Sequence, residues 1–322
     1  MPNKYIADET STAIIGIPTS EEEEIHHHNN DPHHHNIQHH DNDVVNVNAN
    51  NNNNNTNTSA HDVVNVVFED ENYFFVSKPP GMICTGGGGN ESGRRDILSF
   101  HEVVKAYGLQ TYGYQPGLLH RLDKGTSGLM VYAKNLASAK HYLKLQNTQG
   151  AITKQYLAVV QGAPPYYPKK QQGRIEGGIC KSAKDPTGPY IIAKGRKSGK
   201  RVLTTYKVLR QVFFKKEDID DDDDGRSTTT TPTNPNTSIF TLLSLRLFTG
   251  RKHQIRASCR KMKCPIVGDT MYGGPHHPVM LLHAHNIVFT GPEGNNNNND
   301  VTATEYNVTA ATPLSWNEFG VQ

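Results

Sequence analysis

The sequence predicts an α+β domain of about 260 residues, and three observations carry that prediction. Apolar runs with strand character recur at Val63–Phe68, Tyr73–Val76, Leu129–Ala133, Lys154–Val160 and Ile239–Phe248. Between them, Asp96–Tyr107 and the stretch after Asn135 space their apolar residues by threes and fours, as a helix with one buried face does. Upstream the composition changes: residues 1–62 hold 9 of the 17 histidines, the acidic run Glu21–Glu24 and the block Asn50–Asn55. So few large apolar side chains bury too little surface to offset ordering entropy. Residues 1–62 are therefore expected to be a disordered tail, with 63–322 forming one folded domain.

The elements follow in chain order. Val63–Phe68 and Tyr73–Val76 form a hairpin through a turn at Glu69–Asn72. Lys78-Pro79-Pro80-Gly81 ends it by removing backbone donors and fixing torsions. Thr85–Arg95 is glycine-rich but lacks both a Gly-Lys-Ser/Thr ending and a G-x-G-x-x-G pattern, so it reads as a loop and not a phosphate cradle. The helix Asp96–Tyr107 turns Ile97, Phe100, Val104 and Tyr107 to one side.

The stretch Gly117–Lys134, GLLHRLDKGTSGLMVYAK, then sets Asp123 near Arg121 ahead of a tight connection, Thr126-Ser127-Gly128. By residue type alone such an acid and guanidinium are most often a surface pair of little worth. A kinase catalytic loop is excluded because Leu122 interrupts the contiguous His-Arg-Asp that it requires. Asn135 caps the next helix, which carries Leu136, Ala139 and Leu143 on one face and stops before Gly150. Lys154–Val160 places Tyr156, Ala158 and Val160 on one side of a strand. Pro164–Lys200 reads as irregular and basic, and Ile239–Phe248 leads into a basic amphipathic helix from Thr249–Arg256.

Charge and cysteines narrow the partners. The net charge is +2, but residues 1–62 carry ten acids and one base, which leaves 32 bases against 21 acids in the rest. Seven of those acids fall in Glu217–Asp224, within a Thr- and Pro-containing stretch near 215–238 that is expected to be a disordered insertion, like the Asn-rich stretch near 293–301. The basic remainder suits a polyanion, and equally suits plain solubility. Cys84, Cys180, Cys259 and Cys264 have neither C-x-x-C spacing nor histidines at zinc-finger distances, and read as reduced intracellular thiols. Neither a membrane span nor a secretory signal is expected, because no run of 18 apolar residues and no basic start before an apolar core is present. His26–His28 and His33–His35 offer imidazoles to a metal, but low-complexity repeat slippage explains them more simply.

Several of these stretches, in register, resemble one family. H-R-L-D-x-x-T-S-G-L, at His120–Leu129, resembles the central motif of the RluA-type pseudouridine synthases, which are RNA pseudouridylate synthases. Lys154–Gly162 resembles the family's K-x-Y-x-A-x-V-x-G, and Thr249–Arg256 its T-G-R-x-H-Q-I-R, with Pro265–Asp269 and Tyr272-Gly273 following in place. Lys78–Gly81, Gly199–Tyr206 and the closing Leu282-His283-Ala284 match as well, so the resemblance runs from about Val63 to the C-terminus. Two departures stand out: Ser258 where the family has His, and Val279-Met280 where it has Arg-Leu.

The resemblance implies a mixed, largely antiparallel sheet with flanking helices and a central RNA-binding cleft. It implies Asp123, Tyr156 and Arg256 as catalytic residues, with Arg256 the ion-pair partner of Asp123. Tyr156 would stack on the uracil and could take its C5 proton. Arg121 would fill the gap left by the flipped base, with His120, Arg251, His253 and Gln254 also contacting RNA. The reaction is isomerisation of uridine in ribosomal or transfer RNA. It needs no cofactor and no metal, and is expected of a monomer without an obligatory protein partner, in the cytoplasm or nucleus, with an organelle also open. The competing readings are a non-catalytic RNA-binding protein on the same fold and, more weakly, a metal-binding protein acting through its histidine tail.

Overall fold

The computed structural model describes residues 60–86, 98–182, 185–193, 199–215, 237–295, 301–319 and 321. Residues 1–59 of the expected tail 1–62, the glycine-rich loop from residue 87 and the bodies of both insertions lie outside these residues, and residues 60–62 open a helix. The chain divides into two compact units: Met1–Val76, Ile83–Arg121 and Met130–Lys144 make the first; Ser77–Met82, Leu122–Leu129 and Leu145–Gln322 make the second.

In the first unit, a short helix α1 (Ala60–Val63) precedes the hairpin strands β1 (Asn65–Glu69) and β2 (Tyr73–Lys78). The hairpin turn is tied by Asp70 Oδ1, which accepts from the Asn72 and Tyr73 amides at 2.8 and 2.7 Å. Helix α2 spans Phe100–Tyr112, later than the apolar spacing predicts. Its start is fixed by a reciprocal cap: the Ser99 amide donates to Glu102 Oε2 at 2.7 Å, and the Glu102 amide to Ser99 Oγ at 3.4 Å. It runs on through Gly108, where a Cβ would lie 2.3 Å from the Pro116 ring, so the glycine serves close packing and does not end the helix. Strand β3 (Gly117–Leu118) pairs antiparallel with β4 (Ser127–Ala133), and α3 (Leu136–Asn147) begins at the expected Asn135 cap, whose Oδ1 accepts from the Ser138 amide at 2.8 Å.

The second unit is built on β5 (Thr153–Gln161), β6 (Gln172–Ser182), β7 (Asp185–Ala193), β8 (Lys200–Lys215), β9 (Thr237–Leu247), helix α4 (Gln254–Lys261), β10 (Leu282–Asn295) and β11 (Val301–Thr309). Its strand order is β4-β10-β5-β9-β8-β6-β7, with β11 on β10. The start of β4 pairs parallel with β10, while β10 with β5 and β11, β5 with β9, β9 with β8, and β6 with β8 and β7 are antiparallel. The α+β class and mixed sheet are as expected. The region read as irregular, Pro164–Lys200, instead contains the β6–β7 hairpin. Gly177, Gly178, Pro186, Gly188 and Pro189 mask its strand pattern, and the two prolines are tolerated on β7 because it ends the strand order, where a missing amide breaks no second ladder. One face of β5 and β9 is sealed by Leu157, Val159 and Leu242 against Val267, Leu281, Trp316 and Phe319, the last two from the 3-10 turn Leu314–Phe319.

Candidate active site

Asp123 sits on a loop held from two sides. The Lys78 side chain, fully buried, donates from Nζ to the carbonyls of Pro79 at 2.7 Å, Met82 at 2.9 Å and Lys124 at 3.2 Å, while the Gly81 amide donates to Lys124 O at 2.9 Å. An ammonium can satisfy three carbonyls at once, which lets Lys78 staple the Lys-Pro-Pro-Gly turn to the residue after Asp123. Beyond Asp123 the chain enters β4 against β10. Gly128 has φ 104°, and a Cβ there would lie 2.3 Å from Ala284 O, so only glycine permits this approach. Ser127 Oγ bonds His283 Nδ1 at 2.9 Å, and Met280 covers Gly125, where a Cβ would come within 3.1 Å of the Met280 Cε.

Arg256, on the first turns of α4, faces two carboxylates unequally. Its fork is spent on Asp269: Nε donates to Oδ2 and Nη2 to Oδ1, both at 2.7 Å. To Asp123 it presents only Nη1, 3.7 Å from Oδ2. The ion pair expected with Asp123 is thus one long contact, and the two-bond clamp falls on Asp269. Asp269 is 1% exposed against 25% for Asp123, and a buried carboxylate has the greater need of both guanidinium bonds. Burial alone would weaken the Arg256 charge, but the bonds and charge of Asp269, aided by Asp123, hold its pKa above the usual arginine value. The guanidinium also lies 4.7 Å from the centroid of the Tyr272 ring.

His253 fills the space beside Arg256 in a left-handed conformation with φ 56°. Its Nε2 lies 3.2 Å from Arg256 Nη1 and 3.9 Å from Asp123 Oδ2, and its Nδ1 lies 3.1 Å from Tyr272 Oη. Arginine can only donate, so Nε2 accepts and Nδ1 carries the proton. Burial first, then Arg256 and Lys252, push its pKa down against the opposing pull of Asp123 and Asp269, which keeps the imidazole neutral near pH 7. Tyr272 Oη also accepts from the Tyr190 amide of β7 at 2.9 Å.

Tyr156 is 8% exposed, and its hydroxyl pKa is raised by burial and by the charge of Asp123. A phenol held protonated offers a flat neutral ring on which a base can stack. Gln254, expected at the RNA, is 2% exposed and saturated inside the protein. Its Oε1 accepts from Thr249 Oγ1 at 2.8 Å and the Arg251 amide at 3.1 Å, and its Nε2 donates to Thr204 Oγ1 at 3.0 Å and Leu203 O at 3.2 Å. It shapes the turn on which Arg251 and Lys252 stand exposed. Ser258 is buried beneath it, donating to Gln254 O at 2.8 Å. In the first unit, Arg121 is exposed, whereas His120 Nε2 accepts from the Val131 amide at 3.2 Å and so serves the fold. Among the described residues no group of three or more metal-ligating side chains occurs.

Asp123, Tyr156 and Arg256, which the sequence places far apart, thus lie in one unit around one carboxylate, and comparison with known proteins gives that arrangement its context. The sequence profile of the RNA pseudouridylate synthase family matches residues 72–261. The chain belongs to this family. It is 31% identical over 231 residues to ribosomal large subunit pseudouridine synthase C of Rickettsia bellii, covering 70% of this chain and 63% of that protein. To ribosomal large subunit pseudouridine synthase D of Zymomonas mobilis it is 30% identical over 241 residues, covering 71% and 65%. The chain therefore spans somewhat less than two thirds of the length of these relatives. The solved structure of human RNA pseudouridylate synthase domain containing 4 shares the fold, with a TM-score of 0.53 at 20% identity over 80% of this chain and 94% of that one.

Within the family's motifs, the sequence reading missed the structural duties of Lys78, Asp269 and Tyr272. A lysine that follows a strand and precedes Pro-Pro-Gly, and an acid in Gly-Asp-x-x-Tyr-Gly, were visible as strings, but nothing local says that one staples the Asp123 loop and the other takes the Arg256 fork.

Proposed function

We propose that the chain is an RNA pseudouridine synthase that isomerises uridines in structured ribosomal or transfer RNA. The observation that carries this is the carboxylate of Asp123, a quarter exposed, set 3.7 Å from a guanidinium that is itself locked elsewhere, beside a buried phenol. Such an acid is free to engage carbon while its charge is balanced nearby.

The reaction breaks N1–C1′, turns the uracil and joins C5 to C1′, so its atoms balance without a donor or a redox change. Positive charge develops at C1′ as the first bond breaks, and a carboxylate at that carbon stabilises it, as in glycosidases. Asp123 then either bonds C1′ or takes the C2′ proton to give a glycal, and the same residues serve both routes. Tyr156 provides a flat apolar surface on which the detached uracil turns. After rejoining, C5 gives its proton to water and N1 takes one from water, so the ring's proton count is unchanged. Base extrusion costs a few kcal/mol, which the exposed Arg121 offsets by filling the vacated stack.

We further propose that the chain acts as a monomer, in the cytoplasm, the nucleus or an organelle, wherever such RNA is held. Incubation of the purified chain with unmodified ribosomal and transfer RNA, followed by chemical mapping, should yield pseudouridine at discrete positions. RNA binding with no product in either pool would leave the non-catalytic reading.

A further inference from the structure

The second unit carries a cationic sheet face that the catalytic arrangement does not use. Strand register puts Tyr156, Leu245 and Tyr206 in one cross-strand row, all buried. The adjacent row is Gln155, Arg246, Thr205 and Arg174, which alternation turns to the opposite face. There Arg174, Arg201, Lys207 and Arg246 are all exposed. Glu176 is the one acid in the sequences of β6, β8 and β9, and it is shared between Arg174 and Arg201. At the edge of this face Lys169, Lys170 and Lys207 line, with Gln171 and Gln172, a cavity of about 480 Å³.

Two aromatic rings are interleaved with the cations. Tyr166 is 76% exposed with Lys170 Nζ 5.4 Å from its ring centroid, and Phe248 is 36% exposed under Arg246 at 4.9 Å. A spread of cations with exposed and partly exposed rings between them fits a nucleic-acid strand, whose phosphates need charge and whose bases need stacking surface. An acidic protein partner would make no comparable use of the rings.

We propose that this face is a second RNA-binding surface, one that holds RNA remote from the nucleotide being isomerised. This rests on RNA being the substrate. It deepens that reading, because contacts on the face opposite Tyr156 require an RNA large enough to reach both sides of the sheet. A large folded RNA is then favoured over an excised stem-loop.

The test is a Lys169→Ala, Lys170→Ala, Lys207→Ala triple variant, with Lys207→Glu alone as a second reading and melting temperature as the folding control. Binding is measured against salt for full-length ribosomal RNA, for an excised stem-loop containing an unmodified target uridine, and for polyglutamate. Affinity for the full-length RNA should fall at least about tenfold, with a slope of log K against log salt shallower by roughly 2 to 3, while turnover of saturating stem-loop stays unchanged. Unchanged affinity and slope for full-length RNA would overturn the proposal. So would unchanged RNA binding with loss of polyglutamate binding, which would assign the face to an acidic protein. If the parent chain makes no pseudouridine in any RNA, the proposed function fails, yet the binding comparison still decides this surface.

Discussion

Replacing Asp269 by Asn separates the residue that holds Arg256 from the residue that Arg256 serves. Asn keeps the size of the buried side chain, but its amide nitrogen cannot accept, so one of the two 2.7 Å bonds is lost and the other loses its charge. Breaking a buried pair costs about 3–5 kcal/mol, and the retained bond puts Asp269→Asn near the lower end, about 3 kcal/mol. For a folded chain of this size that is a fall in Tm of roughly 6–12 °C. The guanidinium, released, can move from 3.7 Å to direct contact with Asp123, pairing the acid more tightly than the reaction needs. A displacement of about an ångström at a catalytic group costs on the order of a hundredfold in rate. Single-turnover release of tritium from 5-tritiated uridine in RNA, read beside calorimetry, checks both effects. Turnover within threefold of the parent, with Tm unchanged, would refute the idea that Asp269 positions Arg256.

Three further outcomes follow from the same geometry. Gly128→Ala should destabilise the fold by about 2–4 kcal/mol, since the new Cβ meets Ala284 O at 2.3 Å in a left-handed backbone; a variant melting with the parent would contradict the close approach. Lys78→Met leaves the carbonyls of Pro79, Met82 and Lys124 without their shared donor, so stability should drop by about 3 kcal/mol and turnover should fall with it; normal turnover in a folded Lys78→Met protein would show that the Asp123 loop needs no staple. Burial, with His285 nearby, lowers the His283 pKa to about 4. The unfolded chain therefore takes up the proton first, and stability should decline as pH falls from about 6.5 towards about 4, by roughly 3 kcal/mol in all. Urea midpoints at pH 7.5 and 4.5 should show that loss in the parent and less of it in His283→Gln, whereas parallel pH profiles would remove His283 from the explanation.

Much of this was legible in the sequence where a local rule and a long-range fact agree. The Asn135 cap, the face of β5 with Tyr156, and the turn from β9 into α4 each follow from residue type and spacing, and the resemblance pointed to Asp123 and Arg256, which the fold brings to 3.7 Å. Where competing forces decide, the sequence was silent. Whether Arg256 forks onto Asp123 or Asp269 depends on which carboxylate is buried, and no spacing encodes burial. Gln254 reads as a polar residue on a basic helix, but its four bonds form only when β8 and the Thr249 turn are already in place. The β6–β7 hairpin was hidden by its glycines and by the prolines of β7, which a terminal strand tolerates and a central one would not.

The central claim is that Asp123 carries the chemistry. Its most direct test is the nucleoside composition of target RNA after incubation with Asp123→Asn, which keeps the size of the side chain and removes its charge. Pseudouridine should be absent from the digest while the variant binds the same RNA with parent affinity; formation of pseudouridine within tenfold of the parent rate would contradict it.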